Sequence, residues 1–200
     1  MAFIEPVTLK GRHATLEPLA AEHHDALVSA ASDGELWKLW YTTVPDPDGT
    51  RAYIDKALDM RRHQNAMPFV IRDNRDGAVV GSTRYSNVDA VNRRLEIGST
   101  WHAARVQRSG INTECKLMLL MHAFDTLGCI AVEFRTHWMN HQSRTAIARL
   151  GAKQDGVLRN HQRMADGSFR DTVVFSIIES EWPAVRRHLQ HQLARQDALC

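Results

Sequence analysis

Gln107-Arg108-Ser109-Gly110-Ile111-Asn112 is the stretch on which the reading of this chain turns. It stands between a strand-like run, Arg93 to Trp101, and a long amphipathic helix that starts at about Asn112. That helix carries Leu117, Leu120, Met121, Phe124 and Leu127 on one face. A short loop that brings backbone N–H groups to the mouth of a helix can hold a diphosphate. The first amides of a helix lack internal partners, and the helix dipole favours an anion there. Gly110 removes a Cβ where the anion would approach the backbone. One glycine in such a loop also suits an ordinary turn. The loop gains weight from Asn140-His141-Gln142-Ser143, in a matching position one strand and one helix later.

Working outward, Val7 to Leu9 and His13 to Leu16 read as a first strand interrupted by Lys10-Gly11-Arg12 and closed by Pro18. Ala20 to Ala31 reads as a helix, Asp33 as the cap of a short second one, and Thr50 as the N-cap of a helix to about Gln64. Strands are expected over Met67 to Arg72, Ala78 to Ser86 and Arg93 to Trp101, the first two joined by the turn Asn74-Arg75-Asp76-Gly77. Gly128 ends the helix after the loop. Ile130 to His137 is a strand and Asn140 to Leu150 a helix stopped by Gly151. Val157 to Met164 and Phe169 to Ile178 form a hairpin across Asp166-Gly167, and Ser180 caps a terminal helix with Pro183 in its first turn. No repeat or linker divides the chain, so residues 1–200 read as one α/β domain with a mixed sheet.

With 200 residues, the chain is long enough to bury roughly 70% of its extended surface. A formal net charge of +2 argues against a dedicated nucleic-acid binder, which carries a clear basic face. Three cysteines, Cys115, Cys129 and Cys200, without Cys-x-x-Cys spacing point away from a disulfide framework and toward a reducing cytoplasm. Cys115 falls in the first turn of a helix, where a thiol pKa can be lowered, but it reads as a packing residue. Met1 to Lys10 has no apolar core of signal-peptide length, and no run approaches the ~18 apolar residues of a membrane span. His137 and His141, His188 and His191, and His23-His24 lack the further ligands that would complete a metal site.

Three segments together carry a resemblance that covers nearly the whole chain. They are Leu95-Glu96-Ile97-Gly98, the Gln107–Asn112 loop, and Asn140-x-x-Ser143 running into Ala146-Ile147-Ala148-Arg149-Leu150-Gly151-Ala152. In this order they resemble the GNAT superfamily of CoA-dependent N-acyltransferases, in particular its ribosomal-protein alanine N-acetyltransferase (Rim-type) branch. The resemblance implies a mostly antiparallel twisted sheet flanked by helices, whose two central strands splay apart. The family's loop reads Gln or Arg, two residues, Gly, one residue, then Gly or Ala. Gln107 and Gly110 match, Ile111 takes the unrestricted place, and Asn112 departs from Gly or Ala while offering a side chain that could cap the helix.

What the resemblance implies for the site can be set beside the plainer reading of each residue. Amides of Arg108, Ser109, Gly110, Ile111 and Asn112 would hold the CoA diphosphate, with Gln107 opening the loop. Thr100, Trp101, His102 and Ala103 would meet pantetheine where the strand bulges, and an amide there would polarise the thioester carbonyl; the run alone reads as a half-buried strand. Asn140 reads as an N-cap and, by resemblance, as a pantetheine contact. Many family members carry a Tyr four residues beyond Ser143; Ile147 stands there, which leaves Ser143 as the candidate acid for the departing thiolate. Glu96 reads as a salt-bridged strand carboxylate with Arg94 nearby, and by resemblance as the group that takes the ammonium proton. Trp37, Trp40 and Tyr41 read as core packing and, by resemblance, as a wall of the acceptor site.

The expected activity is transfer of an acetyl group from acetyl-CoA to a primary amine by direct attack in a ternary complex, without a metal. The acceptor is open: an amine-bearing small molecule or a protein terminus fits, with no nucleic-acid or membrane partner. Dimers are common in this branch, so a homodimer is an expectation by resemblance. Two other readings stay open: a succinyl-CoA or other acyl-CoA dependent enzyme, marked by extra cationic groups near the acyl pocket, and a CoA-binding regulatory module without turnover.

Overall fold

The computed structural model describes residues 3–164 and 166–198. Its frame is one eight-stranded sheet, in spatial order β1-β2-β3-β4-β5-β6-β8-β7. The strands are β1 Leu9–Lys10, β2 Ala14–Pro18, β3 Ala66–Asp73, β4 Val79–Asp89, β5 Arg94–His102, β6 Ala131–His137, β7 Lys153–Arg163 and β8 Phe169–Ile178. Neighbouring strands run antiparallel except β5 and β6, which are parallel. The helices are α1 His24–Ser32, α2 Thr50–Arg62, α3 Ile111–Met121, α4 His141–Arg149 and α5 Trp182–Asp197.

The two faces of the sheet are covered differently. Met67, Phe69, Val70 and Ile71 of β3 form a continuous buried run, as expected of a strand packed on both sides. On the front face Arg84 lies over the Tyr53 ring of α2, and Ser82 accepts from the Tyr53 hydroxyl. On the back face the Tyr85 hydroxyl donates to the Leu119 carbonyl of α3 at 2.6 Å. α3 widens into a π-turn over His122–Thr126 before Gly128 (φ +63) ends it. α4 packs on β6 and β8, and α5 on α3.

Several expected boundaries shift for identifiable reasons. Gly49 takes the N-cap of α2, and Thr50 is its first residue, turning its hydroxyl back to the Asp46 carbonyl. Asp33 caps no second helix; only a 3-10 turn, Leu36–Lys38, follows, and Asp33 instead accepts from the amides of Ala104 and Arg105. Ser180 lies in a 3-10 turn, and α5 begins at Trp182 without a side-chain cap. β7 starts at Lys153 rather than Val157 because this edge strand is exposed along most of its length and shows no apolar alternation. Cys115 and Cys129 are buried free thiols; desolvation pushes Cys115 up to about 12 and Cys129 up to about 11, which suits packing residues. Met1, Ala2 and Cys200 lie outside the described residues. No helix among the described residues is long and apolar enough to cross a membrane.

Candidate active site

β5 and β6 pair at only three positions, Arg94 with Ala131, Leu95 with Val132 and Glu96 with Glu133. Beyond Glu96 no pair joins them among the described residues, so the sheet opens between its two central strands. On its other edge β5 carries a bulge: Ser99 and Thr100 together face Thr83, between the pairs Arg84–Gly98 and Ser82–Trp101. Ser99 adopts φ +47, and the Thr100 hydroxyl is fixed between Thr83 Oγ1 at 2.8 Å and Lys116 Nζ of α3 at 2.6 Å. Burial lowers Lys116 to about 8.

The residues after the bulge divide their roles. Trp101 is buried, and its indole Nε1 has no partner. His102 is half-buried, its Nε2 is buried without a partner, and desolvation beside Lys116 lowers it to about 3. The Ala103 amide donates to the Val80 carbonyl at 2.8 Å and is committed to that bond.

The loop that follows delivers free donors. Gln107 turns its side-chain amide back to the His102 carbonyl, and Ser109 turns its hydroxyl to Val106. Arg108 sits at φ +61. Gly110 takes the N-cap of α3, so Asn112 does not; the Ser109 hydroxyl reaches the Ile111 amide at 3.4 Å. The amides of Arg108, Gly110, Asn112 and Thr113 have no acceptor among the described residues. Gly110 has an ordinary φ of -66, and a Cβ there would touch Gln196 and His13 at van der Waals distance, so backbone strain does not demand this glycine.

Asn140 is the N-cap of α4, accepting from the Ser143 amide at 2.9 Å. That leaves the half-buried Ser143 hydroxyl without a partner among the described residues, in the first turn just past the end of β6. Ile147 is buried in the core.

On the front face Glu96 borders a cavity of about 120 Å³ with Asn87, Asp89, Arg94, Glu133 and Arg135. Asn87 donates to Glu96 at 2.7 Å. The cation beside Glu96 is Arg135, at 3.6 Å, and not its sequence neighbour Arg94, which reaches Glu133 at 2.7 Å. Burial raises the Glu96 pKa against the opposing pull of Asn87 and Arg135. Glu133 is held below the usual carboxylate range, because its bonds to Arg94 and Arg135 outweigh desolvation. Further along, Arg170 of β8 bonds the Thr172 hydroxyl, and burial lowers its pKa.

The expected aromatic wall divides. Trp37 packs against the core, while Trp40, 60% exposed, stands edge-on to the buried His137 with ring centroids 5.1 Å apart, and Tyr41 adjoins Trp40. Asn87, Arg135 and Arg170 are absent from the sequence-level candidates, and His137 enters there only in a histidine pair set aside as a metal site. The even spacing of Glu133, Arg135 and His137 along β6 was the available signal, since it puts all three on one face. Among the described residues no group of three His, Cys, Asp or Glu side chains could hold a metal.

The family model described as an acetyltransferase (GNAT) domain matches residues 13–153. The chain belongs to the GNAT acetyltransferase family. A Bacillus subtilis (strain 168) protein, "Putative ribosomal N-acetyltransferase YdaF", is 32% identical over 169 residues, covering 84% of this chain and 90% of that one. The crystal structure of a GCN5-related N-acetyltransferase from Brucella melitensis superposes with a TM-score of 0.86 at 32% identity, over 95% of this chain and 86% of that one. Mycobacterium smegmatis RimJ in complex with CoA-disulfide shares the fold at a TM-score of 0.78 and 24% identity, over 94% and 95% of the two chains. The gap between β5 and β6 and the free amides at the start of α3 thus belong to a GNAT fold.

Proposed function

We propose that this protein transfers an acetyl group from acetyl-CoA to a primary amine by direct attack in a ternary complex. The observation that carries the reading is the opening of the sheet beyond the Glu96–Glu133 pair, with free amides behind it and a carboxylate in front. The names of the relatives, and the CoA-disulfide of the M. smegmatis protein, support CoA as the carrier and a protein amine among the acceptors.

In this reading the diphosphate lies on the loop Arg108 to Asn112, held by the free amides of Arg108, Gly110 and Asn112, while the Ser109 amide is given to the Val106 carbonyl at 3.4 Å. Pantetheine enters the gap from the back, near Thr100–Ala103 and Asn140. The acceptor arrives from the front, between the Trp40–Tyr41 region and Glu96. An ammonium cannot attack, so Glu96 takes one proton and frees the nitrogen lone pair. Its raised pKa suits a group that must hold that proton. The nitrogen attacks the thioester carbonyl and an N–C bond forms. The C–S bond breaks, the thiolate takes a proton from the Ser143 hydroxyl or a water beside it, and the proton that the nitrogen sheds on becoming an amide returns to that donor. Positioning two substrates supplies much of the acceleration.

The test is free-thiol release from acetyl-CoA against a panel of amines, alcohols and peptides, with mass spectrometry of the product. An acetyl group found on nitrogen supports the reading. Acetyl on oxygen, or CoA binding with no transfer to any acceptor, contradicts it.

A further inference from the structure

The front face holds a buried cation with no ion pair among the described residues. Arg84, in the middle of β4, is 6% exposed. Its guanidinium lies over the Tyr53 ring at 5.0 Å, and Nη1 has only the Met60 sulfur at 3.8 Å. Its Nε has no hydrogen-bond partner, and it enters no ion pair among the described residues. Of the other arginines of this face, Arg94 and Arg135 both bond Glu133 and Arg170 bonds the Thr172 hydroxyl. A guanidinium presents five donors and no acceptor. Burying it unpaired is costly, and an orphaned buried donor in a folded protein calls for an explanation. The Tyr53 ring offsets part of the charge but satisfies none of the N–H groups.

A second orphan lies one rung away. The Trp101 indole Nε1 is also buried without a partner. Trp101 pairs with Ser82 and Gly98 with Arg84, so both donors stand on the front face, on either side of the bulge. Both lack an acceptor. Between them Gly98 offers no side chain, and the Glu96 carboxylate leans over it, with Oε1 at 2.7 Å from where a Cβ would stand. A cation and a carboxylate therefore flank Gly98 on adjacent strands, spaced roughly 4.8 Å apart.

We infer that Arg84 binds a carboxylate of the substrate, with the Trp101 indole as a second donor. This rests on the acyl-transfer reading above, which brings the reacting carbonyl to the opening beside Gly98. An acceptor whose amine meets Glu96 and whose adjacent carboxylate meets Arg84, as in an α-amino acid, matches the arrangement. A carboxylate at the end of the acyl chain, as in succinyl-CoA, would present the same chemistry to Arg84.

The test uses the full-length protein and matched substrate pairs followed by thiol release. One arm compares α-amino acids with their decarboxylated amines at fixed acetyl-CoA. The other compares succinyl-CoA with acetyl-CoA at one fixed amine. In the unchanged protein, kcat/KM for the carboxylate-bearing member of one pair should exceed its neutral counterpart by at least about tenfold. Arg84→Met should bring that ratio close to one, and Arg84→Lys should leave it between, which keeps a reading if the Met variant folds poorly. The arm that responds names the source of the carboxylate. A separate readout is the rise in Tm given by the same amino acids or by succinate, expected with the unchanged protein and lost in Arg84→Met. The inference is overturned if neither pair shows a carboxylate preference while neutral substrates turn over, a result that leaves acyl transfer intact. It is equally overturned if the preference survives Arg84→Met, since a purely structural Arg84 shifts both members of a pair alike. Absence of thiol release with every donor and amine contradicts the acyl-transfer reading instead, and the Tm arm then decides for Arg84.

Discussion

Glu96 and Glu133 stand opposite each other on β5 and β6, at the last rung before the sheet opens. They are the same residue type, on the same face, at the same height, and their environments push them apart. Glu133 accepts from two arginines and is held ionised below the usual range. Glu96 has an amide donor and a cation at 3.6 Å, too little to outweigh its burial, and its pKa rises. The difference teaches how one ladder rung can hold both a carboxylate kept ionised and one biased toward its protonated form. Paired titratable groups driven in opposite directions are the pattern by which acid–base roles are divided.

The largest expected effect comes from exchanging the two carboxylates for amides. Glu96→Gln should lower kcat/KM for the amine by at least about a hundredfold near neutral pH, the usual contribution of a positioned base. Glu133→Gln should cost about tenfold or less, through its effect on Arg135. Steady-state kinetics on both variants checks the contrast, and comparable losses would erase it. A smaller loss is expected at the leaving group. A thiolate departs more readily than an amine, so Ser143→Ala should lower kcat by about tenfold and leave the KM for acetyl-CoA nearly unchanged. A full-rate variant, measured where chemistry limits turnover, removes Ser143 from the mechanism.

Stability should respond with opposite signs. The folded Glu96 pKa lies above its ordinary value, so the folded state holds the proton more tightly. Its contribution is favourable below the ordinary carboxylate pKa and is lost as pH rises through the raised one. Glu96→Gln should therefore melt at a higher temperature than the unchanged protein at pH 8, with the gap closing on acidification. Glu133 is depressed; its contribution is present above the ordinary pKa and is lost as pH falls through the folded one. Glu133→Gln should lose about 1–3 kcal/mol at neutral pH, as for a removed partner of charged groups. The smallest effect at neutral pH concerns His102, at about 3 in the folded state against 6.5 ordinarily, and it grows only on acidification. Its depressed pKa makes stability fall as pH drops from 6.5 toward 3, and His102→Gln should flatten that part of the Tm profile.

Much of this frame was legible in the sequence because local chemistry and packing agreed. The apolar run in β3, the turn at Gly77 with φ +73, and the Asn140 cap each act through residues close in sequence. The loop at Gly110 could be located from the strand and helix around it. What escaped was set by register. Asn87 and Arg135 reach Glu96 only because β4 and β6 flank β5 with a particular alignment, which no spacing in the chain states. The same holds for Arg84, an unremarkable strand arginine until Gly98 and Tyr53 are seen beside it. β7 was shortened because an exposed edge strand carries no periodic signal.

The central claim, that Glu96 rather than Glu133 takes the amine's proton, is tested most directly by the pH profile of kcat/KM for the amine. It would be measured side by side for the unchanged protein, Glu96→Gln and Glu133→Gln. With an ionised Glu96 the protein can use the ammonium form, so its profile should rise through the carboxylate's raised pKa and then level off. Glu96→Gln must wait for free amine and should climb steadily toward the amine's own pKa, near ~10.4 for a lysine-like acceptor. Glu133→Gln should keep the plateau at reduced height. An unchanged profile in Glu96→Gln, or loss of the plateau in Glu133→Gln alone, would contradict the assignment.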